Sequence, residues 1–290
     1  LEVGLNVAKE VGADILIATD PDCDRVGIAV KQGDDFRLFS GNEVGVLLTD
    51  FIAKRKVAMG IMPKKPVVVK TIVTTDLVNR VADNYGIETR DVLTGFKYIG
   101  DQIANLEKDG EVDRYLLGFE ESYGYLSGSY VRDKDAVNGA YLIAQMFAYY
   151  KAENKSLLDV LNGLYEKYGY YLNTLYSFEF EGESGMKKMD AIMDTFRNNT
   201  PKEIAGVKVL EVRDYETSTQ TNLATGEKKA IDLPKSNVIK YMLEGNSSAV
   251  LRPSGTEPKL KLYLAISSEN EASARELESK IANEIKKSLA

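Results

Sequence analysis

The chain has 290 residues, 44% of them hydrophobic, which is enough to bury a large core and predicts two or three domains. Its 44 acidic and 37 basic residues give a net charge of −7 without a basic stripe, which argues against nucleic acid as the main partner. Histidine is absent, so catalysis or metal binding by histidine is excluded within these residues.

A single cysteine, Cys23, excludes an internal disulfide and predicts a reducing compartment, the cytoplasm. No apolar run approaches the ~20 residues that a membrane-spanning helix needs, so we expect no membrane partner. The first residue is Leu1 rather than methionine, and the opening residues already show helical spacing. We therefore expect the chain to be cut from a longer protein.

Residues 1–62 are predicted to form two helices and three strands. The second helix has Asn42 as a candidate N-cap, and the prolines at 63 and 66 predict a linker after it. The five elements are expected at residues 1–12, 15–19, 26–31, 36–39 and 42–55.

Three aspartates, Asp20, Asp22 and Asp24, follow the first predicted strand. Side chains at alternate positions of an extended backbone point to the same side, so the three carboxylates are expected to converge. Carboxylates this close repel one another unless a cation lies among them. Mg²⁺ suits a site with few protein oxygens and positions left for water or phosphate, so we predict a magnesium site here.

Other interpretations of these aspartates are available. An EF-hand needs glycine at its sixth loop position and glutamate at its twelfth, where this chain has Arg25 and Lys31, so it is excluded. A phosphatase with an aspartyl nucleophile also places two alternate aspartates after a strand, and it stays open as an alternative. A solvated turn is the plain structural alternative.

Strands and helices alternate in residues 63–170, which predicts a parallel sheet covered by helices on both faces. Ligands bind such sheets beyond the carboxyl ends of the strands, where residues 94–100 and 118–124 are expected to lie. The strands are expected at residues 67–71, 87–92 and 115–119, and the helices at 75–85, 94–108, 135–150 and 157–168.

Residues 118–124 place Glu120, Glu121 and Ser122 between glycines at a predicted strand end. Short acidic and hydroxyl side chains there can bond to sugar hydroxyls, although a plain turn is the alternative. Arg132 and Lys134 follow shortly afterwards, and cations beside carboxylates suit a ligand with both hydroxyls and a phosphate.

Residues 171–290 change to mixed strands flanked by two helices, which predicts an α+β domain. Its strands are expected at residues 207–213, 237–243, 249–251 and 259–267, and its helices at 184–198 and 269–289. A guanidinium, two hydroxyls, a glycine and an amine lie close together between two of these strands, which is typical of a phosphate cradle, with an ordinary turn as the alternative. These residues are Arg252, Ser254, Gly255, Thr256 and Lys259.

Taken together, these motifs resemble those of the α-D-phosphohexomutase superfamily, most closely the phosphoglucomutases and their phosphopentomutase-like branch. The four motifs occur in the family's order and span the whole chain, at residues 19–25, 118–124, 132–135 and 252–259. The resemblance implies mixed α/β three-layer domains followed by an α+β C-terminal domain. Residues 1–62 would be the C-terminal part of domain 2, residues 63–170 domain 3 and residues 171–290 domain 4.

The resemblance also implies a role for each motif residue. Asp20, Asp22 and Asp24 would hold Mg²⁺, and Arg25 would lie beside the family's catalytic phosphoserine. That serine belongs to domain 1 in a Ser-His-Asn context, so we expect it outside this histidine-free chain. The sugar and its phosphates would be bound by ten residues: Lys97, Glu120, Ser122, Arg132, Lys134, Arg252, Ser254, Gly255, Thr256 and Lys259.

The implied activity is the reversible interconversion of glucose 1-phosphate and glucose 6-phosphate through a phosphoserine enzyme and glucose 1,6-bisphosphate. The Glu-Glu-Ser form of residues 120–122 resembles glucose-directed members more than the Glu-Met-Ser form of dual mannose/glucose enzymes. A phosphopentomutase, another hexose-phosphate mutase and a sugar-phosphate-binding module remain alternatives. The chain is expected to be inactive without its main partner, its own missing N-terminal domain.

Overall fold

The computed structural model describes residues 1–180, 182–254 and 257–289, apart from the side chains of residues 182–184. The chain forms two compact units, Leu1–Tyr168 and Gly169–Ala290, here called unit 1 and unit 2. Unit 2 begins two residues before the predicted domain 4, whose assignment stays a prediction. The predicted domains 1–62 and 63–170 both lie in unit 1, and the boundary between them stays a prediction.

The first part of unit 1 is a three-stranded antiparallel sheet, in the order β1-β2-β3, with two helices. Its elements are α1 (Glu2–Glu10), β1 (Ile15–Thr19), β2 (Val26–Gln32), β3 (Asp35–Phe39) and α2 (Gly41–Ala58). Helix α2 is capped by Ser40, whose hydroxyl accepts from the Glu43 amide while the Glu43 carboxylate accepts from the Ser40 amide. The predicted N-cap Asn42 is therefore wrong, and its side chain instead accepts from the Thr75 amide at 2.9 Å.

The second part of unit 1 contains a four-stranded sheet in the order β5-β4-β6-β7. Its elements are β4 (Val67–Thr71), α3 (Leu77–Asn84), β5 (Glu88–Val92), α4 (Phe96–Lys108), β6 (Tyr115–Phe119), β7 (Tyr125–Leu126), α5 (Ala136–Ala152) and α6 (Leu157–Tyr168). Strand β4 is parallel to both β5 and β6, as the alternating pattern predicts. Strand β7 is antiparallel to β6, and it was not predicted because two residues are too few to show a period.

All five side chains of β4 are buried, as expected for a central parallel strand covered on both faces. One of them is charged: Lys70 is fully buried, and its ammonium lies 2.9 Å from Asp76 and 3.0 Å from Asp91. It also donates to the Thr74 carbonyl at 3.3 Å. Burial alone would lower the pKa of Lys70, but the two carboxylates raise that pKa above its ordinary value. A buried ion cluster therefore lies at the carboxyl end of β4.

Helix α2 packs against β6 and the residues after it at two glycines. A Cβ atom at Gly45 would lie 2.1 Å from the Phe119 ring, and one at Gly41 would lie 2.2 Å from the Glu121 carbonyl oxygen. Both distances are far below van der Waals contact, so only glycine permits this approach. The start of α2 thus fixes the position of the chain that follows β6.

Two helical glycines give a matched test of this packing. Gly45→Ala is expected to destabilise unit 1 by about 1–3 kcal/mol, because the added methyl group has no room. Gly163→Ala is expected to stabilise it by about 0.5–1 kcal/mol, because a Cβ at this exposed position of α6 meets nothing within 4 Å and alanine favours the helix. Amide exchange of β4 measured at increasing urea concentrations gives the free energy of unfolding of unit 1 for both variants. Equal effects of the two substitutions would contradict the close α2–β6 packing.

Unit 2 is an antiparallel sheet whose strands run in the order β12-β11-β10-β13-β14-β15-β8, with β9 paired to β10. Its elements are β8 (Tyr170–Glu179), α7 (Gly182–Asn198), β9 (Glu203–Ile204), β10 (Val207–Asp214), β11 (Thr219–Asn222), β12 (Lys228–Ala230), β13 (Ile239–Leu243), β14 (Ser247–Pro253), β15 (Lys259–Ser268) and α8 (Glu271–Leu289). Met193 of α7 and Ile281 of α8 share one core with Tyr241 and Leu262 of the sheet. The predicted α+β class is confirmed.

Within the described residues, no helix combines the length and the apolar character that crossing a membrane requires.

Candidate active site

Residues 20–25, here called the acidic loop, connect β1 to β2 directly beyond the paired residues Thr19 and Val26. Asp20 Oδ1 accepts hydrogen bonds from the amides of Asp24 at 3.1 Å and Arg25 at 3.0 Å. The Arg25 amide contributes most to lowering the pKa of the Asp20 carboxyl. The loop therefore folds around one of its own carboxylates.

This folding brings the three aspartates together: one carboxylate oxygen from each of Asp20, Asp22 and Asp24 lies within 4.8 Å of the other two. The convergence agrees with the prediction, but its cause differs. The loop is a turn rather than an extended strand, and Cys23 adopts a left-handed φ of 56°. Local hydrogen bonds, not strand alternation, bring the carboxylates together.

Asp24 gives the clearest indication of what this cluster can hold. Its Oδ2 lies 2.7 Å from the Lys134 ammonium, which is itself only 13% exposed. Its Oδ1 is buried and has no hydrogen-bond partner among the described residues. The Arg25 Nε lies 3.9 Å from this oxygen, which is too far for a hydrogen bond. A buried carboxylate oxygen without a hydrogen bond costs free energy that a bound cation would reduce. The three aspartates thus fit a hard divalent cation with oxygen ligands.

Residues 120–124, here called the Glu120 loop, connect β6 to β7. Glu120 is 7% exposed, and its Oε1 accepts a hydrogen bond from the Gly95 amide at 3.0 Å, directly before α4. Burial raises the pKa of the Glu120 carboxyl, and the neighbouring Glu121 carboxylate adds to the effect, while Lys134 and the Gly95 amide oppose it. The Ser122 side chain is half-buried, and among the described residues its hydroxyl has no hydrogen-bond partner.

The acidic loop and the Glu120 loop are joined through their backbones. Arg25 pairs with Gly124 as an isolated antiparallel bridge, and the Val26 amide donates to the Tyr123 carbonyl at 3.1 Å. A Cβ at Gly124 would lie 2.6 Å from Lys134 Cδ, so glycine is what allows Lys134 to pass close to this loop on its way to Asp24. The structure therefore brings Asp20, Asp22, Asp24, Arg25, Glu120 and Lys134 into one site within unit 1.

Two residues predicted to bind the sugar, Lys97 and Arg132, make their side-chain contacts outside this site. Lys97, in the first turn of α4, is exposed, and its ammonium lies 4.7 Å from the centre of the Tyr98 ring. The Arg132 guanidinium bonds Glu107, in the last turn of α4, and the carbonyls of Ser129 and Val131. These contacts direct Arg132 to the opposite end of α4 from Gly95. The roles of Lys97 and Arg132 stay predictions.

The predicted phosphate cradle lies in unit 2, between β14 and β15. The Ser254 amide donates to the Lys259 carbonyl at 2.7 Å. The Lys259 ammonium lies 3.1 Å from Glu257 and 3.2 Å from Glu179, and the bonds to these carboxylates, Glu257 first, raise the pKa of Lys259. The Arg252 guanidinium has no hydrogen bond or ion pair with any residue that the structure describes.

Gly255 and Thr256 fall outside the described residues. The assignment of residues 252–259 to phosphate binding therefore stays a prediction.

Sequence reasoning missed the inward role of Glu121 and the part played by Thr71 and Thr74. The Glu121 carboxylate accepts hydrogen bonds from both threonine hydroxyls rather than facing the site. The available signal was a group of hydroxyl residues at and just beyond the carboxyl end of a predicted buried strand, at the same sheet edge as the Glu120 loop.

The raised pKa of Glu120 predicts a pH dependence of stability. Because the folded-state pKa lies above the unfolded one, the contribution of Glu120 is fully present below the unfolded value of about 4.3 and is lost as pH rises through the folded pKa. Glu120→Gln is therefore expected to stabilise unit 1 at pH 7 by about 0.5–2 kcal/mol. Urea midpoints at pH 4 and pH 7 test this, with the exposed Glu10→Gln as control. If the difference between the urea midpoints at pH 4 and pH 7 were the same in Glu120→Gln as in the wild type, the prediction would be contradicted.

Comparison with known proteins places this geometry in a family. Residues 40–168 match the family model described as phosphoglucomutase/phosphomannomutase, alpha/beta/alpha domain III. A phosphoglucomutase of Staphylococcus saprophyticus is 39% identical over 269 residues, which cover 92% of this chain and 48% of the relative. The chain thus spans about half the length of the curated relatives it matches.

Solved structures agree at the level of the fold. The phosphoglucomutase pp63/parafusin from Paramecium, in an open form, has a TM-score of 0.65 at 18% identity. The aligned region covers 96% of this chain and 44% of the Paramecium chain. The N-acetylphosphoglucosamine mutase of Aspergillus fumigatus, solved in complex with GlcNAc-6P and magnesium, has a TM-score of 0.52 at 14% identity, covering 99% and 53%. Family model, sequence relatives and fold agree, and residues 40–168 of the chain belong to the phosphoglucomutase/phosphomannomutase family.

Proposed function

We propose that this chain is the metal-binding and sugar-binding part of a phosphoglucomutase. The full-length parent would interconvert glucose 1-phosphate and glucose 6-phosphate through a phosphoserine enzyme and a bisphosphorylated sugar. The observation that carries the proposal is the meeting of Asp20, Asp22 and Asp24 with Lys134 and the Glu120 loop in one site. The relationship to curated phosphoglucomutases supports the choice of reaction.

Asp20, Asp22 and Asp24 would hold Mg²⁺. The buried Oδ1 of Asp24, which accepts no hydrogen bond from the described residues, supports this, as does the magnesium in the structure of the Aspergillus mutase. When bound, the cation would act as a Lewis acid that polarises a phosphoryl oxygen.

The remaining residues supply charge and orientation. In phosphoryl transfer, negative charge spreads over the equatorial oxygens of the moving group, so correctly placed cations lower the barrier. Lys134, held by Asp24, and Arg25, which lies 3.9–4.0 Å from Asp24 and Asp20, would bind those oxygens. Glu120 uses Oε1 to accept from Gly95, which leaves Oε2 for a sugar hydroxyl, and Ser122 would bind a second hydroxyl.

The reaction also needs groups beyond unit 1. The bisphosphorylated sugar must turn so that its other phosphate faces the serine, which requires a second phosphate site, proposed at residues 252–259. The serine would come from the N-terminal domain that we propose as partner, since this chain contains no histidine for a Ser-His-Asn motif. We propose a cytoplasmic location on the ground of the single free cysteine.

The test is an assay of the full-length parent with glucose, mannose, ribose and deoxyribose 1-phosphates. We expect the highest kcat/KM with glucose 1-phosphate, and no turnover by residues 1–290 alone. A preference for a pentose phosphate would favour a phosphopentomutase. Turnover by residues 1–290 alone would contradict the proposed external serine.

Two alternatives to a mutase, a binding module and a phosphatase, predict different results. A sugar-phosphate-binding module would bind glucose 6-phosphate without interconverting it. An aspartyl phosphatase would form a phosphoaspartate on Asp20 or Asp22, detectable by mass spectrometry after trapping.

A further inference from the structure

Glu121 lies between Glu120 and Ser122 in sequence, yet its carboxylate lies on the other side of the loop. Its Oε2 accepts from the hydroxyls of Thr71 and Thr74, each at 3.2 Å. Thr71 is fully buried and Thr74 is 2% exposed, so these bonds are shielded from water. Glu120, by contrast, accepts from the Gly95 amide. The two adjacent carboxylates therefore serve different neighbours.

The sheet register explains this contact. Strands β4 and β6 are parallel neighbours, with Lys70 beside Phe119. Both chains leave the sheet at the same edge, so Thr71 and Glu121, which are 50 residues apart in sequence, meet there. The contact is thus built into the topology of unit 1.

The proton count shows how the contact works. The hydroxyls of Thr71 and Thr74 are 2.8 Å apart, so three oxygens lie close together with only two hydroxyl protons when Glu121 is ionised. At most two of the three contacts are hydrogen bonds at one time. Whenever both protons stay within this group, at least one hydroxyl donates to the carboxylate. Hydrogen bonds to an ionised acceptor are stronger than neutral ones.

The support behind the two threonines is rigid. The Thr74 amide donates to the Thr71 carbonyl at 3.1 Å, and the buried Lys70 ammonium donates to the Thr74 carbonyl. The Thr75 amide donates to Asn42 of α2 at 2.9 Å. On the other side, α2 approaches the Glu121 backbone so closely that only Gly41 fits. Glu121 is therefore held between a fixed turn and a fixed helix.

We propose that Glu121 is the positioning residue of the sugar site. It does not contact the sugar. Its bonds to Thr71 and Thr74 hold the Glu120 loop so that Glu120 and Ser122 keep one fixed placement beside Lys134, and sugar preference depends on that placement. The inference rests on the proposed function, because it assigns a role within the same site.

The test uses the full-length parent with Glu121→Gln, the double variant Thr71→Val/Thr74→Val, and the combination of all three substitutions. We expect the first two variants each to lower kcat/KM for glucose 1-phosphate about tenfold, and to lower its preference over mannose 1-phosphate by a similar factor. The combination should lose no more than either alone, because all three substitutions remove one contact. Thr49→Val is the control, because it also removes a buried threonine hydroxyl, but one in α2 that bonds the Gly45 carbonyl. It should leave the preference for glucose 1-phosphate over mannose 1-phosphate unchanged.

Retention of the wild-type preference by Thr71→Val/Thr74→Val, together with its loss in Glu121→Gln, would overturn the proposal, since Glu121 would then contact the sugar directly. Amide exchange gives a readout independent of activity. The Glu120 amide donates to the Gly124 carbonyl within the Glu120 loop, and the Val26 amide donates to the Tyr123 carbonyl of the same loop. Both amides should exchange faster in Thr71→Val/Thr74→Val than in Thr49→Val. Unchanged exchange would overturn the positioning role alone. A wild-type parent without turnover on any sugar phosphate would overturn the proposed function alone.

Discussion

Replacing Asp24 by asparagine in the full-length parent is expected to lower kcat/KM for glucose 1-phosphate by about a thousandfold. The substitution removes one of three converging carboxylates and breaks the 2.7 Å ion pair that holds Lys134. Both the cation and the ammonium that would stabilise the transferring phosphoryl group are then misplaced. Initial rates measured over a Mg²⁺ titration test this, and the variant should need more Mg²⁺ for half-maximal activity.

Asp34→Asn is the matched control for this experiment. It makes the same change of charge at the exposed turn after β2, at the other end of the same strand. We expect wild-type kinetics and Mg²⁺ dependence from this variant. If Asp24→Asn also kept the wild-type Mg²⁺ dependence, the acidic loop would not be the metal site.

Replacing Lys70 by methionine is expected to destabilise unit 1 by about 3 kcal/mol. The change leaves Asp76 and Asp91 close together without their shared cation, and it removes the donor to the Thr74 carbonyl. The value lies at the lower end of the range for broken buried pairs, because both carboxylates keep some contact with water. Amide exchange of β4 in increasing urea measures the loss.

The pH dependence and a compensating variant sharpen this test. Because the folded-state pKa of Lys70 is raised, its contribution is fully present below the unfolded pKa of about 10.4 and is lost only as pH rises through the folded pKa. The loss in Lys70→Met should therefore be constant from pH 6 to pH 9. Adding Asp76→Asn and Asp91→Asn should restore part of the stability. No recovery would show that lost packing, rather than unpaired charge, causes the effect.

The sequence predicted the layers of the fold because their signals are periodic. Buried runs such as residues 67–71 and 115–119 identify parallel strands, and the alternation with helices identifies their arrangement. The cap of α2 was misplaced although its signal was present. Ser40 and Glu43 have capping-box spacing, and Asn42 was chosen instead because it is also a good N-cap residue type.

The site was predictable in its residue types but not in its connections. The acidic loop could be identified because its three aspartates stand at alternate positions within five residues. The Lys134–Asp24 pair joins residues 110 positions apart, and which of Glu120 and Glu121 faces the site depends on the β4–β6 register. Lys70 likewise pairs with Asp91 of the neighbouring strand β5. Long-range contacts of this kind leave no local pattern.

The backbone bridge between Arg25 and Gly124 has a thermodynamic consequence. Because the two loops share a backbone hydrogen bond, a ligand that shifts the position of the acidic loop would also shift the Glu120 loop. Under the proposed function, binding of a cation by the carboxylates and binding of a sugar phosphate would therefore be coupled. Linkage makes such coupling reciprocal, so each ligand would change the affinity for the other by the same factor.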